Sequence, residues 1–290
     1  EIRRNFEVFP SVSLVIPTRQ SSGEGDSIPF IRRLLDSLAH TDYPMSQLHV
    51  IVGDDVEDGR PYADENWPFH LQRVVTTRSP TEPFNYAAKM NQLWRLATTE
   101  HIVFLNDDIT VQTSAWLKAL LSHSMQADVG GVGARLLYPD GRIQHAGMAG
   151  GVYGLCTHVW IGEPGDRPTY QDWAILAREW LMVTGATFAT RLSVLQEMGG
   201  FDERFTLDFN DVDLCMRMRM AGYRIVYTPH AQLVHHEKGS RQSQTWPGSQ
   251  LALFLRRWSH LLDTDPTFNR RLSKESHVVR PSIDVEAWWG

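Results

Sequence analysis

Apolar residues in the first half of the chain fall into short blocks of two kinds. Val12 to Pro17 (VSLVIP) is a β-rich run ended by Pro17, and His49 to Val52 (HVIV) is a second. Ile102 to Leu105 (IVFL) is four apolar residues in a row, as in a strand buried on both faces of a mainly parallel sheet. Leu71 to Val75 reads as another strand. Between these, Ile28 to Leu38 places Ile31, Leu34, Leu35 and Leu38 on one helical face, and Phe84 to Leu96 reads as a helix. Strand, helix, strand, helix, strand predicts an α/β fold with a Rossmann-like, mainly parallel central sheet flanked by helices.

The second half is patterned differently. Trp116 to Met125 is a predicted helix and Val129 to Leu137 a strand, followed from Tyr138 to Pro168 by a stretch rich in Gly, aromatics and His that reads as a long functional loop. Trp180 to Thr190 is a predicted strand, and Leu192 to Met198 a short helix stopped by Gly199-Gly200. Asp211 to Ala221 is a helix ended at Gly222, Tyr223 to Tyr227 a returning strand, and Gln250 to Leu262 an amphipathic helix. The tail with Pro266 and Pro281 is expected to wrap the surface. No linker divides the chain, so subregions of one domain are expected.

The polar residues that interrupt this pattern carry the chemistry. Ile102 to Leu105 ends abruptly in Asn106-Asp107-Asp108, at the carboxyl edge where open α/β sheets bind ligands. Adjacent carboxylates there need a counter-charge, and a hard divalent cation that also holds phosphates supplies it; capping of a following helix is the alternative. Asp54-Asp55 also follows a buried strand, where an acid can accept from a base N–H or a ribose hydroxyl, or simply form a turn. In Phe209-Asn210-Asp211-Val212-Asp213, Asn210 can cap a helix and Asp213 can complement its dipole or pair with Arg217. Asp211 fits that structural role less well and is a candidate general base. His235-His236-Glu237 has neither HExxH nor CxxC spacing, but one histidine beside Asp108 would suit Mn2+ or Mg2+.

Composition narrows the classes. The 290 residues are 42% hydrophobic and 21% charged, ordinary for a soluble globular protein. A net charge of −6 with no basic stripe argues against nucleic acid as a partner. No apolar run reaches the ~20 residues that span a bilayer, and the start lacks a signal peptide's apolar stretch. Two cysteines, Cys156 and Cys215, form no disulfide framework and fit a reducing compartment. Beginning at Glu1 fits an excised part of a longer chain. Neither GxGxxG nor GxxxxGK[ST] occurs, so a metal would have to do the phosphate-holding work of such loops.

With these residues in view, the chain resembles family 2 glycosyltransferases of the GT-A fold, most of all their bacterial O-antigen and rhamnan branch. The resemblance covers nearly the whole chain and rests on nine segments in order. They are VSLVIPT at Val12 to Thr18, VGDD at Val52 to Asp55, FNYAAKMN at Phe84 to Asn91, FLNDDI at Phe104 to Ile109 and LYPDGRIQHAG at Leu137 to Gly147. TGA at Thr184 to Ala186, GGFDERF at Gly199 to Phe205, NDVDLCMR at Asn210 to Arg217 and HHEKGSR at His235 to Arg241 complete them.

The resemblance implies a single GT-A domain with a nucleotide-sugar-binding half at 1–110, a smaller acceptor-binding and catalytic half at 111–245, and a C-terminal helix and tail at 246–290. Thr18 and Asp55 match positions that contact the nucleobase, while Asn106 and Asp107 match the DxD motif near ribose and diphosphate. Asn106 departs from that motif, whose first position is Asp. Asp108 matches the metal-binding acid, His235 the histidine that completes the coordination, and Asp211 the inverting catalytic base. Thr184 and Gly185 would shape the donor-sugar site; His145, Trp160, Trp180 and Asn210 would face the acceptor.

The implied activity is inverting, Mn2+- or Mg2+-dependent transfer from a UDP- or dTDP-sugar to a hydroxyl of a glycan or lipid-linked glycan, in cell-surface polysaccharide synthesis. dTDP-rhamnose, a UDP-hexose and UDP-galactofuranose all remain open as donors. The expected location is cytoplasmic, at the membrane's cytoplasmic face or within a multidomain chain. Two rivals stand beside this reading. One is a non-catalytic sugar-nucleotide or glycan-binding module of a larger polysaccharide synthase. The other is a sugar-nucleotide pyrophosphorylase, which wants a glycine-rich basic loop where Thr18-Arg19-Gln20 instead leads into an acidic one.

Overall fold

The computed structural model describes residue 6 and residues 8–63, 66–76, 83–236 and 248–282. Its N-terminal elements are β1 (Val12–Thr18), α1 (Phe30–Leu38), β2 (Leu48–Asp54), β3 (His70–Val75), α2 (Tyr86–Trp94) and β4 (His101–Leu105). Then come β5 (Ile109–Val111), α3 (Trp116–Ser124), β6 (Val129–Leu137) and the short strands β7 (Ile143–His145), β8 (Met148–Gly150) and β9 (Cys156–His158). The chain continues through β10 (Arg178–Glu179), β11 (Thr187–Arg191), α4 (Leu192–Met198), α5 (Asn210–Met220), β12 (Arg224–His235) and α6 (Gly248–Asp263).

One mixed sheet runs in the order β10-β12-β6-β11-β4-β1-β2-β3, with β5 added to β12 and β7 to β6. β1 pairs in parallel with β2 on one side and β4 on the other, and β2 with β3. The chain therefore reverses direction across the sheet between β1 and β4, the switch point whose carboxyl edge forms a ligand crevice in open α/β sheets. The two acid pairs, after β2 and after β4, lie on strands separated by β1.

Period-two alternation assigns the strand residues to two cores. Val12, Leu14 and Ile16 join Ile31, Leu34, Leu35 and Leu38 of α1 and Leu117, Leu120 and Leu121 of α3. Val15, Ile102 and Phe104 belong with Met90 and Leu93 of α2, Leu214 and Met218 of α5, and Phe254 and Trp258 of α6. The helices end where local chemistry requires. Asn85 caps α2 by accepting from the Ala88 amide at 3.0 Å, and Gly199, at φ 71°, takes the left-handed turn that closes α4.

The second half departs from the sequence reading in four places. The Tyr138–Pro168 stretch is not all loop, since it contains β7, β8 and β9. The strand expected from Trp180 to Thr190 is confined to β11, because Thr184-Gly185-Ala186 turns the chain out of the sheet. β12 runs on past Tyr227 to His235, crossing a register shift between Thr228 and Gln232 that accommodates Pro229. Asn210 does not cap α5: the cap position is Phe209, at φ 64° and without a side-chain bond, and the Asn210 side chain donates to Leu207 O instead. Among the described residues, no helix is long and apolar enough to cross a membrane.

Candidate active site

The carboxyl ends of β1, β2 and β4, the 184–186 turn, the start of α5 and the end of β12 carry the predicted polar residues. At β1, Thr18 donates its hydroxyl hydrogen to Asp107 Oδ2 at 2.6 Å. Burial raises the Asp107 pKa to about 7; the Thr18 bond counters this in part, and the neighbouring Asp108 charge adds to it. The Asn106 amide donates to Ala186 O at 3.0 Å, tying the acidic loop to the turn before β11.

Strand extension puts the histidine beside the acid. Because His235 is the last residue of β12 and pairs with Ile109 of β5, its ring lies next to Asp108. His235 Nε2 is 3.1 Å from Asp108 Oδ1, with the Asn106 side-chain nitrogen 3.5 Å from the same Nε2. The His236 amide donates to Asp108 O at 2.8 Å, while its ring meets the Thr110 hydroxyl at 2.9 Å, away from Asp108 Oδ1. Asp108 Oδ1 is solvent-inaccessible and makes no hydrogen bond to a described residue. An inaccessible carboxylate oxygen facing an imidazole nitrogen fits a divalent cation, and this donor pair suits Mn2+. No group of three or more His, Cys, Asp or Glu ligands occurs among the described residues. A cation here would draw its remaining ligands from phosphates and water. Glu237 and the rest of the HHEKGSR segment lie outside the described residues.

Strand alternation separates Asp54 from Asp55. Asp54 is fully buried and structural, accepting from Arg73 Nε at 2.9 Å, Gln20 Nε2 at 2.9 Å and the Tyr62 hydroxyl at 2.8 Å. Asp55 is 19% exposed, and its Oδ1 accepts from Lys89 Nζ at 2.8 Å and from the Thr76 hydroxyl at 3.0 Å. Lys89 also reaches Thr18 O at 3.2 Å. Burial lowers its pKa and the Asp55 carboxylate opposes that shift.

Asp211 occupies the first turn of α5. Its Oδ2 accepts from the Gly185 amide at 2.6 Å and its Oδ1 from the Val212 amide at 2.8 Å. A Cβ at Gly185 would sit 3.0 Å from Asp211 Cβ, so glycine permits this close approach. Phe209 holds a left-handed backbone just before it, which costs a residue with a Cβ roughly 1–2 kcal/mol. Thr184, largely buried, turns its hydroxyl back to accept from the Ala186 amide at 3.3 Å.

A profile of the family described as glycosyltransferase like family 2 matches residues 10–257. The chain belongs to glycosyltransferase family 2. It is 34% identical over 282 residues to the uncharacterized protein y4gI of Sinorhizobium fredii. It is 32% identical over 271 residues to the O-antigen biosynthesis protein RfbC of Myxococcus xanthus. These alignments cover 93% and 91% of the chain but only 30% and 20% of those relatives' lengths. The N-acetylglucosaminyl-diphospho-decaprenol L-rhamnosyltransferase of Mycobacterium tuberculosis is 27% identical over 247 residues, covering 77% of this chain and 76% of that one. Solved structures confirm the GT-A fold. A mannosyltransferase from Pyrobaculum calidifontis in complex with GDP-Man and Mn2+ aligns at TM-score 0.55 and 18% identity, covering 91% of this chain and 68% of that one. GalNAc-T7 with UDP, GalNAc and Mn2+ aligns at TM-score 0.61 and 12% identity, covering 88% and 50%.

Within this family 2 domain, the expected acceptor residues lie apart from an open surface. Trp160 and Trp180 are 2% and 0% exposed and pack edge to face at 6.1 Å. Trp180 also fills the space beside Gly147, so both indoles are core rather than a sugar platform. His145 is buried, with Nδ1 3.2 Å from His158 Nδ1, and burial holds its pKa well below the usual histidine value. Asn210 is buried, with its side-chain amide donating to Leu207 O at 2.8 Å.

The sequence reading misses Lys89 and Tyr86. Tyr86 opens α2, and its hydroxyl oxygen is inaccessible and makes no hydrogen bond to a described residue. Burial foremost, then the charges of Asp211 and Asp108, oppose its ionisation, so this one oxygen lies within electrostatic reach of both acids. The spacing of three that puts Tyr86 and Lys89 on one helical face is the signal that the sequence offers for them.

Proposed function

We propose that this family 2 domain is an inverting, metal-dependent transferase that moves a hexosyl or rhamnosyl group from a UDP- or dTDP-sugar to a hydroxyl of a glycan or lipid-linked glycan. The observation that carries the reading is the 184–186 turn, which ties the acidic loop to the α5 acid. Asn106 N–H, beside the Asp108–His235 pair, donates to Ala186 O at 3.0 Å, and Gly185 N–H donates to Asp211 Oδ2 at 2.6 Å. Residues 1–110 form the nucleotide-sugar half, with Thr18, Asp55, Asn106 and Asp107 toward the nucleotide. Residues 111–245 form the acceptor and catalytic half, with Thr184 and Gly185 beside the donor sugar, and 246–290 the C-terminal helix and tail. The named relatives in O-antigen biosynthesis and rhamnosyl transfer support cell-surface polysaccharide synthesis as the setting, at the cytoplasmic face of the membrane or within a longer chain.

In this reading Asp211 accepts the proton of the acceptor hydroxyl as that oxygen attacks the anomeric carbon. The amides of Gly185 and Val212 fix the carboxylate's orientation and leave each oxygen a further lone pair. A single displacement inverts the anomeric configuration. Asp108 and His235 would hold Mn2+ or Mg2+, which when bound supplies a Lewis acid for the leaving diphosphate.

The test is a thermal-shift panel of UDP- and dTDP-sugars with and without Mn2+. A ligand at about 100 times its Kd stabilises the folded state by about 2.7 kcal/mol. The expected outcome is stabilisation that requires Mn2+ and disappears in Asp108→Ala. Equal shifts without metal, or in the variant, would reject the metal assignment.

A further inference from the structure

The start of α5 has no side-chain cap, and Phe209 holds a left-handed backbone there. Among the described residues, the bonds Asp211 makes through its carboxylate reach the amides of Gly185 and Val212. The segment around it is gripped from outside by α6. Gln250 accepts from the Thr206 amide at 3.2 Å and donates to the Thr206 hydroxyl at 2.9 Å. Phe254 stacks on Phe209 with centroids 4.5 Å apart and meets Phe205 edge-on at 6.3 Å. Arg257 Nη1 bridges Asp202 Oδ2 at 2.9 Å and Asp213 Oδ1 at 2.6 Å, and Trp258 Nε1 donates to the same Asp213 oxygen at 2.9 Å.

These four residues stand at positions i, i+4, i+7 and i+8 of α6, which form one helical face. Their contacts bracket the Asp211 carboxylate. Phe209, two residues before it, is held by Phe254; Asp213, two residues after it, is held by Arg257 and Trp258. Asp213 is fully buried; Arg217 Nε holds its Oδ2 at 2.8 Å, the i+4 pair expected from the sequence, and the Arg257 guanidinium and Trp258 indole satisfy its Oδ1.

We propose that α6 is a positioning element for Asp211, in which Phe254, Arg257 and Trp258 clamp both flanks of the carboxylate and set its approach to the acceptor hydroxyl. This rests on the reading of Asp211 as the base. It gives the C-terminal helix a role in turnover distinct from nucleotide binding, since none of its four contact residues touches Thr18, Asp55 or Asp107.

The test measures nucleoside diphosphate release from dTDP-rhamnose, UDP-glucose and UDP-galactofuranose with Mn2+, together with amide exchange at Gly185. Phe254→Ala and Arg257→Ala are expected to lower kcat roughly 10- to 100-fold, as displaced catalytic groups do, with donor KM within about twofold. The Gly185 amide, whose partner is Asp211, should exchange faster in both variants. Arg257→Lys should keep most activity, because a single nitrogen makes both carboxylate contacts. Leu120→Ala, in the other core, controls for lost stability and should leave kcat unchanged.

Unchanged kcat and Gly185 exchange in both α6 variants would overturn the proposal, as would an equal loss in Leu120→Ala. Asp211→Asn separates the two claims. If it turns over like the wild type, the base reading fails and the positioning role with it; if it is inactive while the α6 variants are unaffected, the positioning role alone fails.

Discussion

Adjacent residues in this site have opposite fates, and strand geometry decides which. Asp54 and Asp55 look alike in sequence, but alternation buries the first among Arg73, Tyr62 and Gln20 and turns the second toward Lys89. Removing Asp54 strands the donors of Arg73, Tyr62 and Gln20 that share its buried oxygen, whereas Lys89 without Asp55 keeps Thr18 O and, its pKa lowered by burial, sheds its proton more readily. Asp54→Ala should therefore cost about 3 kcal/mol of stability, while Asp55→Ala should cost clearly less and weaken nucleotide binding instead. Chemical denaturation of both variants, with nucleotide titration, checks this; equal destabilisation would remove the distinction. The acids and His235 are legible as candidates because polar residues at strand ends stand out against apolar runs. Lys89 is not, because a lysine within a helical stretch reads as surface until its partner is known. Trp160 and Trp180 are misplaced since an aromatic residue has the same sequence signature in a core as on a sugar platform.

The parallel β1–β4 region follows the sequence reading closely, because uniform apolar runs and one-faced helices leave few alternatives. The predicted strand ends at Tyr227; the observed one passes Pro229 through a register shift, and that extension brings His235 to Asp108. The predicted Trp180–Thr190 strand overruns because Gly185 serves Asp211 rather than a ladder. At the end of α4, a Cβ added to Gly199 would meet no atom within 4 Å, so the requirement for glycine there is purely one of backbone conformation. Gly199→Ala should then destabilise by about 1 kcal/mol without altering kcat. Thermal denaturation together with a turnover assay tests this; an unchanged melting temperature would show that the left-handed cap is not needed.

Across the fold as a whole, buried histidines set an acid limit. Burial lowers the pKa values of His101, His145 and His236, so the unfolded chain takes up more protons than the folded one below the ordinary histidine value of about 6.5. Their stabilisation is complete above that pH and lost as pH falls beneath it. Asp107 acts in the opposite sense: its folded pKa of about 7 stabilises at low pH and is lost as pH rises toward 7. Three histidines against one carboxylate predict a melting temperature that falls between about pH 6.5 and 5, and falls more steeply in Asp107→Asn. A melting temperature that rises over this interval would refute the assignment. The sheet's switch point makes the site's location readable from sequence, whereas the irregular 138–186 region, with short strands and turns in place of long apolar runs, is not.

Proton removal by Asp211, with the nucleotide bound by other residues, is the step on which the proposed transfer depends. Wild type and Asp211→Asn are therefore compared for UDP- or dTDP-sugar binding and for nucleoside diphosphate release in the presence of Mn2+. Binding should be unchanged in the variant while turnover falls by at least about 100-fold. Wild-type turnover in Asp211→Asn would show that the base lies elsewhere.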